Sequence, residues 1–286
     1  TSGGVITLQI NKLMELAEPK KLQPNSIEFY QLLTQASRLA YADRARYLAD
    51  GDFVDVPVDP LLNEDYLRQR SMLINPSIDL GKANPGELPN TLSRADDRSP
   101  ELPSTSHFVI VDRWGNAVSM TSSIEMAFGS TLMAGGFLLN NQLTDFSFIA
   151  EQDGKPVANR VQPGKRPRSS MSPIMVFDKS NQLIAALGSP GGSRIISYVA
   201  KNLYLKLSSD MSLQQAFNTP HVVNRNGVTE LEAGTTAEQL AEPLTAMGHE
   251  LKVRDLNSGL HGFFRQPDGT WKSAVDPRRE GTTLGD

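Results

Sequence analysis

The apolar pattern of this chain changes period near residue 105, from that of helices to that of strands. Before it, Phe29, Leu32, Leu33, Ala36, Leu39 and Ala40 recur at three- and four-residue spacing, the stripe of a helix. After it the period is two: Phe108 and Ile110 alternate with Val109 and Val111, and both faces are apolar. That is the pattern of a sheet covered on each side. Between the two lies a stretch rich in Pro, Asn, Ser, Asp and Gly from Asn75 to Ser104. It reads as a long irregular connection, a kind that is often functional or flexible.

Residues ahead of the switch read as helical. Ile6 to Leu16 is apolar-periodic, and Asn25 with Glu28 reads as a capping box opening a helix that runs to about Leu48. Arg44 and Arg46 near its end suit the macrodipole. Asp50-Gly51-Asp52 breaks it, Phe53 to Pro57 reads as extended, and Leu61 to Ile74 as a second, weaker helix. Behind the switch, Arg113-Trp114-Gly115-Asn116 joins a strand at Phe108–Val111 to one at Ala117–Ser122. Phe137 to Asn141 is a further strand. Ile174–Asp178 and Gln182–Leu187 form a second hairpin, followed by helices over Arg194–Leu207 and Ser212–Phe217. Thr235 and Glu238 repeat the capping-box signature. Gly262–Phe264 and Trp271–Val275 are strands about a Pro267-Asp268-Gly269 turn. Sheets apolar on both faces need helices above and below them.

The composition excludes several chemistries. A net charge of −4 and a pI near 5.7 speak against a nucleic-acid surface. With no cysteine, disulfides, thiolate metal sites and cysteine nucleophiles are ruled out. Four histidines without ligand spacing give no reason to expect a metal site. No apolar run approaches the length of a membrane span.

Several stretches carry groups with chemical potential. Thr105 stands where the Pro/Ser linker meets the strand. A hydroxyl is a weak nucleophile unless a base lies beside it, and a threonine's own α-amine can be that base once the preceding peptide bond is cut. Exposed Pro/Ser linkers are where chains open most easily. Gly188-Ser-Pro-Gly-Gly-Ser193 joins a strand to a helix, which brings backbone N–H groups and a helix N-terminus toward a substrate and suits an oxyanion hole. It is neither a P-loop nor a GxSxG elbow, so Ser189 is a poor nucleophile candidate. The serines of Lys165–Pro173 suit a substrate carboxylate, and Asp145 suits an ammonium group. Ser123 and Glu125 lie just after the second strand. His107 is a candidate base, but no triad spacing supports it. Taken singly, each of these also reads as an ordinary strand end, turn or loop.

In order, these pieces resemble the γ-glutamyltranspeptidase (γ-glutamyltransferase) family of N-terminal-nucleophile hydrolases. Ser2-Gly-Gly4 and Leu39-Ala-Tyr-Ala-Asp-Arg-Ala-Arg-Tyr-Leu48 are similar to the end of that family's large subunit. Its small subunit is matched by Thr105-Ser-His107, Asp112 with Gly115-Asn-Ala-Val118, and Leu138-Leu-Asn-Asn-Gln142 with Asp145-Phe146. Lys165–Pro173, Gly188–Arg194 and Asp276-Pro-Arg-Arg279 complete the match.

The resemblance implies an α+β fold, a four-layer αββα sandwich of the N-terminal-nucleophile hydrolase type. Residues 1–104 would be the C-terminal part of the large-subunit region and 105–286 the small-subunit catalytic region, both parts of one domain. It implies a zymogen that cuts itself before Thr105 and then transfers or hydrolyses γ-glutamyl groups from glutathione-like amides through a threonyl acyl-enzyme. Ser123 matches a residue supporting the nucleophile, and Gly191 and Gly192 match the oxyanion-hole pair. Ser169 and Ser170 match groups on the donor α-carboxylate, and Gln142 and Asp145 groups around its α-amine. The partners implied are a γ-glutamyl donor and an amino acid, peptide or water acceptor, with neither nucleic acid nor a membrane span. No cofactor is implied. The compartment implied is periplasmic or secreted, with a cytoplasmic one open.

Two departures bear on this. Glu125 stands where well-studied members carry an Asn that contacts the donor. Its carboxylate would pair with an ammonium group and repel a carboxylate. The alternative is an acylase of the same fold acting on another acyl group, such as the glutaryl type of cephalosporins. The chain also begins late against the family, without the large-subunit Arg that clamps the donor carboxylate. That would leave it inactive or unable to mature alone, as a non-catalytic fragment.

Overall fold

The computed structural model describes residues 2–17, 22–89, 91–97 and 105–285. The linker Arg98–Ser104 lies outside them. Seven α-helices are present among the described residues: α1 (Gly3–Ala17), α2 (Ile27–Tyr47), α3 (Val58–Leu62), α4 (Glu64–Ser71), α5 (Ile195–Ser208), α6 (Leu213–Asn218) and α7 (Ala241–Ala246). The strands are β1 (Thr105–Val111), β2 (Ala117–Ser123), β3 (Met133–Ala134), β4 (Phe137–Leu138), β5 (Glu151–Gln152), β6 (Lys155–Pro156), β7 (Ile174–Phe177), β8 (Leu183–Gly188), β9 (Val222–Asn224), β10 (Thr229–Glu232), β11 (Leu251–Arg254), β12 (His261–Arg265) and β13 (Trp271–Val275). None of these helices is long and apolar enough to cross a membrane.

The chain divides into two units. The first is Thr1–Glu101, Gln142–Ser169 and Pro220–Leu256. Its centre is α2, which packs against α1 and β9. A three-stranded sheet, ordered β11-β10-β9, joins a parallel pair to an antiparallel one. The sequence suggests one apolar stripe on α2, yet the helix is buried on nearly every side, including Gln31, Thr34, Gln35, Arg38, Asp43 and Arg44. Buried charge is tolerated only when it is paired and hydrogen-bonded. Arg38 meets Asp79 through two bonds of 2.9 and 2.8 Å. Asp43 accepts from Gln9, Tyr66, Arg70 and the Gly86 N–H. Arg44 donates to Ser2 Oγ at 3.0 Å, so its role is a buried contact and not only a helix-end charge.

Local chemistry shifts some expected boundaries. The cap of α2 is Ser26, whose hydroxyl accepts from Phe29 N. Asn25 instead adopts φ 65° and accepts from the Tyr30 hydroxyl. The expected helix over Leu61–Ile74 is two helices, because Asn63 is extended and caps α4 through Asp65 N and Tyr66 N. Phe53–Pro57 is not a strand: Phe53 N and Val54 N both turn back to Asp50 O. Glu238 accepts from Gly234 N, one residue before the position a capping box requires.

The second unit is Leu102–Asn141, Ser170–Thr219 and Asn257–Asp286. It holds the β1–β2 hairpin and a four-stranded antiparallel sheet ordered β13-β12-β8-β7. β1 packs on β8 and β12, and α5 lies against β8 and α6. Alternation in the hairpin turns Thr105, His107, Val109 and Val111 inward with Ala117, Ser119, Thr121 and Ser123. The opposite face differs from the expectation of a sheet covered on each side. Phe108, Ile110, Val118 and Met120 are all exposed.

Candidate active site

The hairpin register places Thr105 opposite Ser123, as the last pair of the ladder. Both side chains point inward, and Thr105 Oγ1 donates to Ser123 Oγ at 3.2 Å. The same Ser123 oxygen accepts from Glu125 N at 2.9 Å. The strand-initial hydroxyl therefore faces Ser123 across the ladder. The Thr105 carbonyl accepts from Arg279 Nη1 at 3.4 Å, and Arg279 Nε donates to Asn257 O at 3.1 Å.

Within the same unit, β8 ends at Gly188 and leads into the glycine loop, a short 3-10 turn at Gly192–Arg194, and then α5. Gly191 has φ 137° and Gly192 φ 59°, a region that L side chains rarely enter. A Cβ on Gly191 would also stand 2.6 Å from the Tyr198 ring. No hydrogen bond from either glycine N–H to another described residue is present, so both donors can serve an incoming oxygen. Ser189 is fully buried; its hydroxyl donates to Pro190 O at 2.7 Å and accepts from Gly259 N at 3.2 Å. That bonding fits its rejection as a nucleophile. A Cβ on Gly259 would stand 2.7 Å from the Pro190 ring and 2.9 Å from the Arg279 side chain, so only a glycine fits between the loop and Arg279.

His107 follows Thr105 by two residues on the inward face and is buried. Its Nδ1 pairs with Thr121 Oγ1 at 2.9 Å, and its ring lies so close to Gly188 that a Cβ there would collide with it. Burial, and then the nearby His261, push its pKa down to about 4. The imidazole is neutral at pH 7 and packs as part of the wall.

Glu125 is buried with φ 75°. Its loop is pinned from both sides: Asn141 N donates to Ile124 O, and Met126 N donates to Asn141 Oδ1. Ser170, in this same unit, is buried and its carbonyl accepts from Ser172 Oγ. The remaining candidates belong to the first unit. Gln142 and Asp145 open and close one 3-10 turn, with Gln142 Nε2 donating to Asp145 Oδ2 at 3.2 Å. The Asp145 carbonyl accepts from Asn159 Nδ2, which also reaches buried Asp97, itself paired with Arg168 at 3.0 Å. The Ser169 carbonyl accepts from both Ser2 N and Ser2 Oγ, tying it to the start of α1. The structure thus gathers Thr105, Ser123 and Glu125 on one hairpin end, and Gln142 with Asp145 on one turn. Sequence reasoning placed Arg168 and Arg279 in matched stretches but not their partners, Asp97 and the Thr105 carbonyl, which only long-range contacts reveal. The one signal for Arg279 was its place in Asp276-Pro-Arg-Arg279.

The arrangement fits the class defined by its fold, that of the N-terminal-nucleophile hydrolases. The chain shares the fold of the cephalosporin acylase from Bacillus halodurans over 99% of its length and 49% of that chain, at a TM-score of 0.80 and 21% identity. The model of the gamma-glutamyltranspeptidase family matches residues 1–285, and the chain belongs to that family. It is 35% identical to the glutathione hydrolase proenzyme of Bacillus subtilis (strain 168), across 100% of this chain and 49% of the relative. It is also similar to the gamma-glutamyltranspeptidase of Pseudomonas nitroreducens solved with L-DON, at 31% identity and a TM-score of 0.54. That match covers 63% of this chain and 98% of that one. The chain spans about half the length of the curated relatives it matches.

Proposed function

We propose that this chain carries the nucleophile of a γ-glutamyl transferase or hydrolase, formed from a precursor cut between Ser104 and Thr105. Residues 1–104 would then end the large subunit and 105–286 would form the small one. The observation that carries the reading is the 3.2 Å bond from Thr105 Oγ1 to Ser123 Oγ at the first residue of the inward strand. Cleavage consumes one water and leaves a carboxylate on Ser104 and an amine on Thr105. That amine takes the proton of Oγ1 as the oxygen attacks the γ-carbonyl carbon of the donor. Negative charge then develops on the carbonyl oxygen, where the Gly191 and Gly192 N–H groups meet it. The C–N bond breaks, the proton passes to the leaving amine, and an ester to Thr105 remains. Water or an acceptor amine attacks that ester and restores the hydroxyl.

The other roles are those the family resemblance implies, and the chemistry of the side chains is compatible with them. Glu125 and Asp145 suit the donor's α-ammonium, with Gln142 beside Asp145 as a neutral partner. The Ser169 and Ser170 hydroxyls suit its α-carboxylate. A carboxylate at position 125 favours donors that keep the α-amino group. In the test, the full-length precursor is incubated and its mass followed. The expected result is two fragments divided before Thr105, with p-nitroaniline released from a γ-glutamyl anilide. Thr105→Ala should remain one chain and release none. Turnover retained in that variant would remove Thr105 from the mechanism. A preference for a glutaryl over a γ-glutamyl anilide would turn the assignment toward the acylase reading.

A further inference from the structure

The second unit has two ends. Thr105, Ser123 and Gly188 mark one end of the packed sheets, where Gly188 pairs with His261. The tips of the β1–β2 and β12–β13 hairpins lie at the other, about 20 Å away at roughly 3.3 Å per residue along β1. There the turn Asp112–Gly115, the start of β8 at Leu183, and Arg265, Gly269 and Trp271 line an open cavity of about 450 Å³. This is a size that small ligands occupy. None of its lining residues belongs to the proposed catalytic set.

Its walls share one chemistry. The only two tryptophans of the chain, Trp114 and Trp271, both line it. Each carries a guanidinium over its ring: Arg113 stands 4.2 Å from the Trp114 centroid and Arg265 6.0 Å from that of Trp271. Phe263 braces the Trp271 ring edge-on at 4.8 Å. Neither arginine has a carboxylate partner among the described residues; Arg265 donates only to the neutral Gln182. The one acid in the wall, Asp112, is engaged by Trp114 N, Asn116 N and Asn116 Nδ2. Two guanidiniums that make no ion pair among the described residues, each lying over an indole, leave room for a ligand that brings a flat ring and an anion together, while the Asp112 charge is held by its own turn. A planar guanidinium matches a carboxylate through paired N–H donors.

We infer that this hairpin-tip cavity is a binding site for small aryl carboxylates, separate from the catalytic end. The ring of the ligand stacks on the indoles while its carboxylate bridges Arg113 and Arg265. Because no other tryptophan exists in the chain, its two indole N–H signals report on this cavity alone. The ¹⁵N–¹H spectrum is titrated with 3-phenylpropionate, 3-cyclohexylpropionate and 3-phenylpropylamine. The expected result is saturable movement of both indole signals with 3-phenylpropionate, at a Kd on the order of 1 mM for a ligand of this size. The cyclohexyl acid should bind several-fold more weakly and the amine should leave both signals in place. Arg113→Ala combined with Arg265→Ala should weaken binding tenfold or more. A flat titration of the unmodified chain to about 20 mM, an equal response to the amine, or unchanged affinity in the double variant overturns the assignment.

Discussion

At the scale of single residues, two positions carry the sharpest expectations. Gly191 combines a positive φ with a Cβ direction that ends in the Tyr198 ring. Alanine there must move either the loop or Tyr198, and with it the N–H groups proposed for the oxyanion. Loss of one such donor costs roughly 100- to 1,000-fold in kcat. Gly191→Ala should therefore lower kcat by about that much in anilide hydrolysis while KM stays within about threefold. Gly227, with open space around its Cβ and no positive φ, is the control: Gly227→Ala should leave turnover unchanged. His107 makes a different prediction. Its folded pKa, about 4, lies below its ordinary value of 6.5. Between those values the unfolded chain binds the extra proton, so stability is complete above about pH 6.5 and falls as pH drops toward 4. The loss is on the order of 3 kcal/mol from this residue. His249, buried and also shifted down by burial, acts in the same direction. Urea unfolding followed from pH 7 to 4 should show the decline. The His107 ring protons should stay at their neutral shifts down to about pH 5; titration near 6.5 would contradict the buried, neutral assignment.

At the scale of elements, the alternation of β1, the hairpin about Arg113–Asn116 and the helix after the glycine loop were legible in the sequence, because each is set by local period and turn chemistry. The surroundings of α2 were not. Its apolar stripe is visible, but its polar faces look like solvent faces until their partners are known. Those partners lie far along the chain: Asp79 for Arg38, Arg70 and Tyr66 for Asp43, and Ser2 for Arg44. The same distance hid the contact of Arg279 with the Thr105 carbonyl, and the pairing of Thr105 with Ser123 was not legible either, since Ser123 stood out only through the family resemblance. A helix held this way depends on its buried pairs more than on its propensity. Truncating one partner of a buried pair leaves the other charge uncompensated, at about 3–5 kcal/mol. Asp79→Ala should therefore lower the urea midpoint strongly, since it strands Arg38, whose side chain is 3% exposed. Glu64→Ala breaks an exposed pair on α4 and should cost less than about 1 kcal/mol.

At the scale of the whole molecule, the β1–β2 hairpin presents a problem that the chain does not solve by itself. Its inward face is filled, whereas Phe108, Ile110, Val118 and Met120 stand 42–55% exposed on the other. The register sets Phe108 opposite Met120 and Ile110 opposite Val118, so the four side chains form one contiguous patch. Contiguous apolar patches on soluble proteins mark surfaces that bind something or aggregate. The hairpin's outer edges are also unpaired with any further described strand. An open edge beside an apolar face is a ready template for another chain. Made alone, the 286-residue chain should bind an apolar dye such as ANS in its folded state and self-associate with rising concentration. Ile110→Lys places a charge in the middle of the patch while leaving the inward face, Thr105 and His107 included, untouched. It should reduce dye binding and shift light-scattering mass toward the monomer, with a urea midpoint close to that of the parent. Dye binding and mass unchanged by Ile110→Lys would show that the exposed face is not what the chain uses to associate.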